Sequence, residues 1–252
     1  MIDVGLPRYA DDYNGYFLMK FTTSYEFQQE FLDGKLYFNI SDFFAECDEN
    51  GRGDYHEGST FIVDYEKPNL MSVNLEKIGN DYAIVARDYS QNPEKYKKGT
   101  IWAYSAAENR RRKIIAIYTA FVNTENQVVS PFDNRMKKEF GQFGILILNR
   151  QVFFERVVSV LSKQREYIQT MLGFVKYIPD EKMQGLIDWN PFFKKEKFAY
   201  QNEFRMTFIS GDNEPIKIDL GTTIRDIAVP IDINDLDKIH MENGKLFYPI
   251  YD

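Results

Sequence analysis

A glutamine, a glutamate and an arginine stand at alternating positions in segment 200–209 of this chain. Successive side chains of a β-strand point to opposite faces. We therefore predict a strand with Gln201, Glu203 and Arg205 on one face and Tyr200 with three further apolar side chains on the other. A glutamine, a carboxylate and a guanidinium together on an otherwise apolar strand are more typical of a functional site than of a packed core. The alternative is a salt-bridged strand surface in which Glu203 pairs with Arg205.

A second group of polar residues lies in the acidic, glycine-rich segment 46–58. Arg52, Asp54 and Glu57 lie there among three glycines, whose small size lets the backbone approach a ligand closely. The spacing of the carboxylates fits no calcium-binding loop, so we predict no metal site. The segment is either a substrate-facing loop or a solvated turn.

The elements that must position these residues are mostly strands. We predict strands over 16–22, 114–122, 143–148 and 200–209, with helices after residues 23 and 149, where Thr23 and Asn149 are suitable caps. The hydrophobic fraction of 44% in 252 residues is enough for a large core. We expect one α+β domain over 1–252, with a mixed or antiparallel split sheet and a few helices.

Composition excludes several classes of protein. The net charge of −7 gives no general attraction to nucleic acid, and Cys47 is the only cysteine, which rules out a disulfide framework. Neither a signal peptide nor an apolar stretch of membrane-spanning length is present in the sequence, so we expect a soluble, cytoplasmic protein with no membrane partner. The sequence contains no phosphate-binding loop, dinucleotide fingerprint or zinc-protease motif.

Two basic clusters, at 110–113 and 194–197, qualify the charge argument. The first follows Trp102 and Tyr104, and aromatic rings beside basic charge can bind nucleic acid. The alternative is that both clusters are solvated surface. A local basic groove therefore remains compatible with the negative net charge.

Several motifs together resemble an uncharacterised family of bacterial and phage proteins. They are the Arg-Gly-Asp-x-x-Glu-Gly segment that begins at Arg52, the Phe-Leu-x-Gly-Lys-Leu-Tyr-Phe-Asn segment that ends at Asn39, and Tyr-Gln-x-Glu-Phe-Arg from Tyr200 to Arg205. The similarity extends over nearly the whole chain. It indicates a family without indicating an activity.

The Gln-x-Glu spacing of Gln201 and Glu203 also resembles the motif of ADP-ribosyltransferases. That resemblance implies NAD as substrate, Glu203 as the catalytic carboxylate that stabilises an oxocarbenium-like transition state, and Gln201 as the residue that orients the acceptor. With glutamine, Gln201, in the first position of the motif, the chain resembles those members of the family that modify nucleobases or asparagine. Arg205 would keep Glu203 ionised, because a nearby cation favours the charged form.

The remaining elements of the ADP-ribosyltransferase pattern are less complete. The family places an arginine or histidine on the first strand to hold NAD, and here that strand offers Lys20, with Arg8 before it as the alternative. For the middle Ser-Thr-Ser or Tyr element of the family the candidates are Ser59 with Thr60, or Tyr37 stacking on nicotinamide, and Asn39 follows Tyr37 in the same segment. The resemblance thus implies an NAD site that includes Lys20, Tyr37 and Asn39 and is faced by the loop of Arg52, Asp54 and Glu57.

We therefore expect transfer of ADP-ribose from NAD to a nucleic acid or protein acceptor, in a bacterial toxin or phage-defence setting, with an antitoxin or phage protein as a further partner. On this hypothesis Glu203→Gln abolishes activity and leaves the fold intact. The first alternative is a binding module, an inhibitor or sensor without turnover, which deep closure of the polar strand face would favour. The second is a hydrolase of NAD or nucleic acid that uses Asp54 and Glu57 beside Glu203.

Overall fold

The computed structural model describes residues 12–46, 59–64, 83–85, 100–104, 111–179, 182, 185–186 and 190–250. Arg52, Asp54 and Glu57 lie outside these residues, as does Arg8. The helices are α1 (Tyr25–Leu32), α2 (Ser41–Glu46), α3 (Asn134–Glu139), α4 (Arg150–Leu161) and the two 3₁₀ helices Glu196–Gln201 and Ile233–Lys238.

Strands contain more of the described residues than helices do. They are β1 (Gly15–Thr22), β2 (Lys35–Ile40), β3 (Ser59–Asp64), β4 (Ala83–Val85), β5 (Thr100–Tyr104), β6 (Arg112–Asn123), β7 (Val128–Val129), β8 (Phe143–Ile147), β9 (Ile168–Phe174), β10 (Lys176–Ile178), β11 (Gly185–Leu186), β12 (Phe193–Lys195), β13 (Glu203–Ile209), β14 (Ile216–Asp219), β15 (Ala228–Asp232), β16 (His240–Glu242) and β17 (Lys245–Phe247).

The main sheet is built around β6, a long apolar strand. Its order is β14-β2-β6-β1-β8-β15, and β13 pairs with the other edge of β6 and then with β9. Every pairing within this sheet is antiparallel, whereas the separate pair β10 and β12 is parallel. Helices beside a large, mostly antiparallel sheet confirm the predicted α+β class. The single-domain assignment stays a prediction.

The sheet divides along one edge of β6. Met19 of β1 pairs with Tyr118, and Asn39 of β2 pairs with Ile114 on the same edge. Between these two positions the Lys20 ammonium donates to the Ala116 carbonyl at 2.8 Å. Lys20 therefore satisfies a backbone acceptor of β6 at the point where β1 and β2 diverge.

Helices cover both faces of the sheet. Helix α1 starts after Ser24, whose hydroxyl accepts from the Phe27 amide, and it buries Phe31 and Leu32 against the first face. Helix α4 adds Phe153 to the same apolar core. On the second face, Met136 of α3 and two residues of the 3₁₀ helix 233–238 pack on Met19 and Tyr118.

The strand predicted over 200–209 begins later than expected. Gln201 is the last residue of a 3₁₀ helix, and Asn202 has a left-handed φ of 38°. Strand β13 starts at Glu203. The prediction that Gln201 shares a strand face with Glu203 and Arg205 was therefore wrong, because the turn at Asn202 interrupts the alternation. Glu203 and Arg205 do share a face, as predicted.

Candidate functional site

Glu203 lies between two cations at the start of β13. Its Oε1 is 2.7 Å from the Lys194 ammonium, and its Oε2 is 2.7 Å from Arg205 Nε. The Lys194 and Arg205 side chains are 1% exposed and that of Glu203 is 8% exposed. Arg205 Nη1 also donates to the Pro191 carbonyl at 2.6 Å. Both oxygens of the carboxylate are thus held by buried cations. We call Lys194, Glu203, Arg205 and Gln201 the ionic network.

Gln201 joins the network from the 3₁₀ helix. Its Oε1 accepts from the Lys194 ammonium, and its Nε2 donates to the Tyr200 hydroxyl at 3.3 Å. On another side, the Glu203 backbone amide donates to the Tyr177 hydroxyl at 2.9 Å. The structure therefore brings Gln201, Glu203 and Arg205 together, although Gln201 reaches the cluster by a different route from the one predicted.

The Glu203 carboxylate is ionised at neutral pH. Burial raises the pKa of Glu203, but the charges of Arg205 and Lys194 and their hydrogen bonds outweigh burial and lower the pKa to about 2. Burial, and next the nearby Glu203 charge, raise the pKa of Tyr177 well above its ordinary value. The carboxylate is therefore charged and the phenol neutral across the physiological range.

Polar side chains continue along the same face of the sheet. Thr207 follows Arg205 at strand spacing, and its hydroxyl lies 3.4 Å from Arg112 Nη1. Arg112 is also buried, and its Nη2 donates to Gln169 Oε1 at 3.1 Å. Since Asn39 and Thr207 pair with Ile114 from opposite edges of β6, Asn39 lies on this face as well. The network is thus one end of a row of polar side chains that runs along this face from the buried Arg205 and Thr207 to the half-buried Asn39.

The other residues predicted for the NAD site are spread over the sheet. Tyr37 lies on the face of Asn39, with 52% of the residue exposed, and pairs with Lys217 of β14. Lys20 points to the face opposite Glu203. Its neighbour Met19 packs with Tyr118, which pairs directly with Glu203. Lys20 and Glu203 are therefore separated by the sheet itself.

Sequence reasoning missed Lys194 and Tyr177 as members of the site. Lys194 was predicted as part of a basic cluster, but it stands between Phe193 and Phe198 in an aromatic segment. Lys195 and Lys197 stand between the same two phenylalanines but are half-buried and exposed, so the local sequence does not single out Lys194. Tyr177 carries no local signal either, since its contact depends on the pairing of β10 with β12.

The geometry limits what Glu203 can do chemically. A ribose hydroxyl that approaches this carboxylate must displace the ammonium or the guanidinium from one of its oxygens. Removing a partner from a buried charge costs several kcal/mol. Among the described residues, no group of three or more His, Cys, Asp or Glu is placed to hold a metal ion.

Within the described part of the chain, none of the helices is both long and apolar enough to cross a membrane.

Comparison with protein-family models, with curated proteins and with solved structures finds no match to this chain.

Proposed function

We propose that this protein acts by binding a macromolecular partner and that Glu203 has a structural role without turnover. The observation that carries the proposal is the occupation of both Glu203 oxygens by Lys194 and Arg205 at 2.7 Å in a buried setting. A catalytic carboxylate must present an oxygen to its substrate, whereas a structural one is fully bonded by the protein. The resemblance to bacterial and phage proteins supports a toxin or phage-defence setting, with an antitoxin or a phage protein as partner class.

ADP-ribose transfer is the second candidate function. It is favoured by the meeting of Gln201 and Glu203 at the Lys194 ammonium, which brings together the two residues that the resemblance assigns to NAD chemistry. The divergence of β1 and β2 along β6 also supports likeness to the split sheet of that family. Transfer would require the Lys194 ammonium to leave Glu203. The hydrolase hypothesis depends on Asp54 and Glu57 and stays a prediction.

Incubation with labelled NAD and a bacterial lysate separates these candidates. Protein and nucleic acid fractions are counted for the wild type, for Glu203→Gln and for the matched control Glu196→Gln, an exposed glutamate of the adjacent 3₁₀ helix. The binding proposal predicts intact NAD in all three samples. Label in either fraction that is lost only in Glu203→Gln would overturn it in favour of transfer. Free ADP-ribose without label transfer would overturn it in favour of an NAD hydrolase.

A further inference from the structure

A basic surface lies beside the ionic network, although the protein as a whole is acidic. Apart from the buried Lys194, which pairs with Glu203, helix α3, strands β10 and β12 and the 3₁₀ helix Glu196–Gln201 contain six basic and two acidic residues, in a chain of net charge −7. Two flanking aspartates pair with this group, Asp133 with Arg135 and Asp237 with Lys137. The four elements still carry an excess of positive charge once these two are included.

Tyr200 joins α3 to the 3₁₀ helix. Its ring lies under the Arg135 guanidinium, with 3.7 Å between the guanidinium carbon and the ring centroid. Its hydroxyl donates to Glu139 Oε2 at 2.5 Å. The side chains of these two elements are therefore fixed relative to each other. They form one continuous surface.

Strand alternation places further lysines on the outside. In the parallel pair of β10 and β12, Tyr177 pairs with Lys194, and both side chains face the ionic network. Lys176 and Lys195 are each one residue away and so lie on the opposite, outward face. Lys176 is exposed, as are Lys138 of α3 and Lys197 of the 3₁₀ helix.

Arg135 forms a flat cationic platform on helix α3. Asp133 holds it from the side through two contacts, Nε to Oδ1 at 3.0 Å and Nη2 to Oδ2 at 2.6 Å. The Tyr200 ring covers one face of the guanidinium plane. The side chain is nevertheless 53% exposed, so the other face of the plane is open to solvent. An arginine plane held in this way can stack on an unpaired nucleobase.

We propose that this protein binds single-stranded nucleic acid through the surface formed by Arg135, Lys138, Lys176 and Lys197. The lysines contact phosphates, which gives affinity without sequence preference, and Arg135 stacks on an unpaired base. A duplex hides its base faces and an acidic peptide has none, so the open arginine plane favours a single strand over both. The inference rests on the proposed function, because it names the partner class of a binding protein.

Fluorescence anisotropy with a fluorescein-labelled 12-mer of thymidine or uridine tests this assignment. We expect binding at low salt that weakens steeply as salt rises. Arg135→Ala should weaken it by about tenfold, the typical loss of one stacked base. Arg135→Lys, which keeps the charge but not the plane, should also weaken it. Lys197→Glu should weaken binding for both oligonucleotides alike.

Matched controls distinguish the surface from a general charge effect. Arg156→Ala removes another arginine that contacts an aspartate through two nitrogens, Asp226, and Lys217→Glu reverses a lysine paired with Glu30. Both should leave binding within about twofold. No binding at low salt would overturn the inference, as would equal affinity for duplex or polyglutamate, or equal losses in the controls. If the oligonucleotide does not bind and the incubation with labelled NAD leaves NAD intact, only the nucleic-acid surface is rejected. If that incubation yields a labelled acceptor, the proposed binding function itself is rejected.

Discussion

The Lys194 ammonium lies 2.7 Å from Glu203 Oε1, and both side chains are almost completely buried. The two residues come from different elements, the short strand β12 and the start of β13. With the contact between Arg205 and Oε2, each oxygen of the Glu203 carboxylate is bound by a cation of the protein. It follows that the most conspicuous polar motif of the sequence is first of all a structural unit.

Glu203→Gln is expected to lower the free energy of unfolding by about 3 kcal/mol, because it leaves the Lys194 and Arg205 charges buried without their counter-charge. Urea denaturation followed by circular dichroism measures the change. This expectation replaces the one drawn from the sequence, that the variant leaves the fold intact. Exposed Glu196→Gln is the control and should change stability by less than about 0.5 kcal/mol. Equal stability of the two variants would show that Glu203 is not buried between Lys194 and Arg205.

Lys194→Met and Glu203→Gln are expected to be strongly non-additive. Each single change leaves a buried charge with one partner fewer, whereas the double change removes both members of the pair. The double variant should therefore be about 1–2 kcal/mol more stable than the sum of the single losses predicts. A double-mutant cycle from urea melts gives this coupling energy. Additive losses would mean that the two side chains do not interact.

Stability should fall at acid pH through Glu203. The pKa is 4.5 for an ordinary glutamate and about 2 in the folded protein. Because the pKa of Glu203 is lower in the folded than in the unfolded protein, its ionised carboxylate adds about 3 kcal/mol to the free energy of unfolding at pH values above 4.5. This contribution is lost as the pH falls from 4.5 towards 2.

The difference in unfolding free energy between wild type and Glu203→Gln isolates this group from the exposed carboxylates. It should be constant above about pH 5 and shrink below it. A difference that does not change between pH 5 and pH 3 would contradict the ionised state of Glu203. Urea melts at several pH values provide the comparison.

Lys20→Met is expected to destabilise the fold by about 1–2 kcal/mol, because it removes the donor to the Ala116 carbonyl where the sheet divides. Lys20→Arg should recover part of the loss. Thermal and urea melts measure both variants. If Lys20 held NAD instead, Lys20→Met would change NAD affinity with little change in stability, which isothermal calorimetry would detect.

The fold was largely predictable because its strands have strong local signals. Segments 16–22, 114–122 and 143–148 are apolar runs, and each forms a strand within about two residues of the prediction. The start of β13 was not predictable in the same way. The alternation of residues 200–209 is compatible with one strand, and only the left-handed φ of Asn202 separates Gln201 from Glu203.

The site was predictable in its residue types but not in its environment. The sequence places Glu203 beside Arg205, yet burial depends on β10 and β12, which pair with each other and contact β13 only in the folded chain. Lys20 and Glu203 belong to different strands whose register with β6 decides which face each one takes. Such register is set by long-range pairing and not by local pattern.

The most direct test of this account is a carboxyl carbon-13 titration of Glu203 by NMR, with Glu203→Gln used to assign the signal. We predict a pKa well below 4.5, close to 2, and no change of the signal when millimolar NAD is added at pH 7. A titration near 4.5, or a shift of the Glu203 signal on addition of NAD, would show a carboxylate that is open to substrate and would contradict the structural role proposed for it.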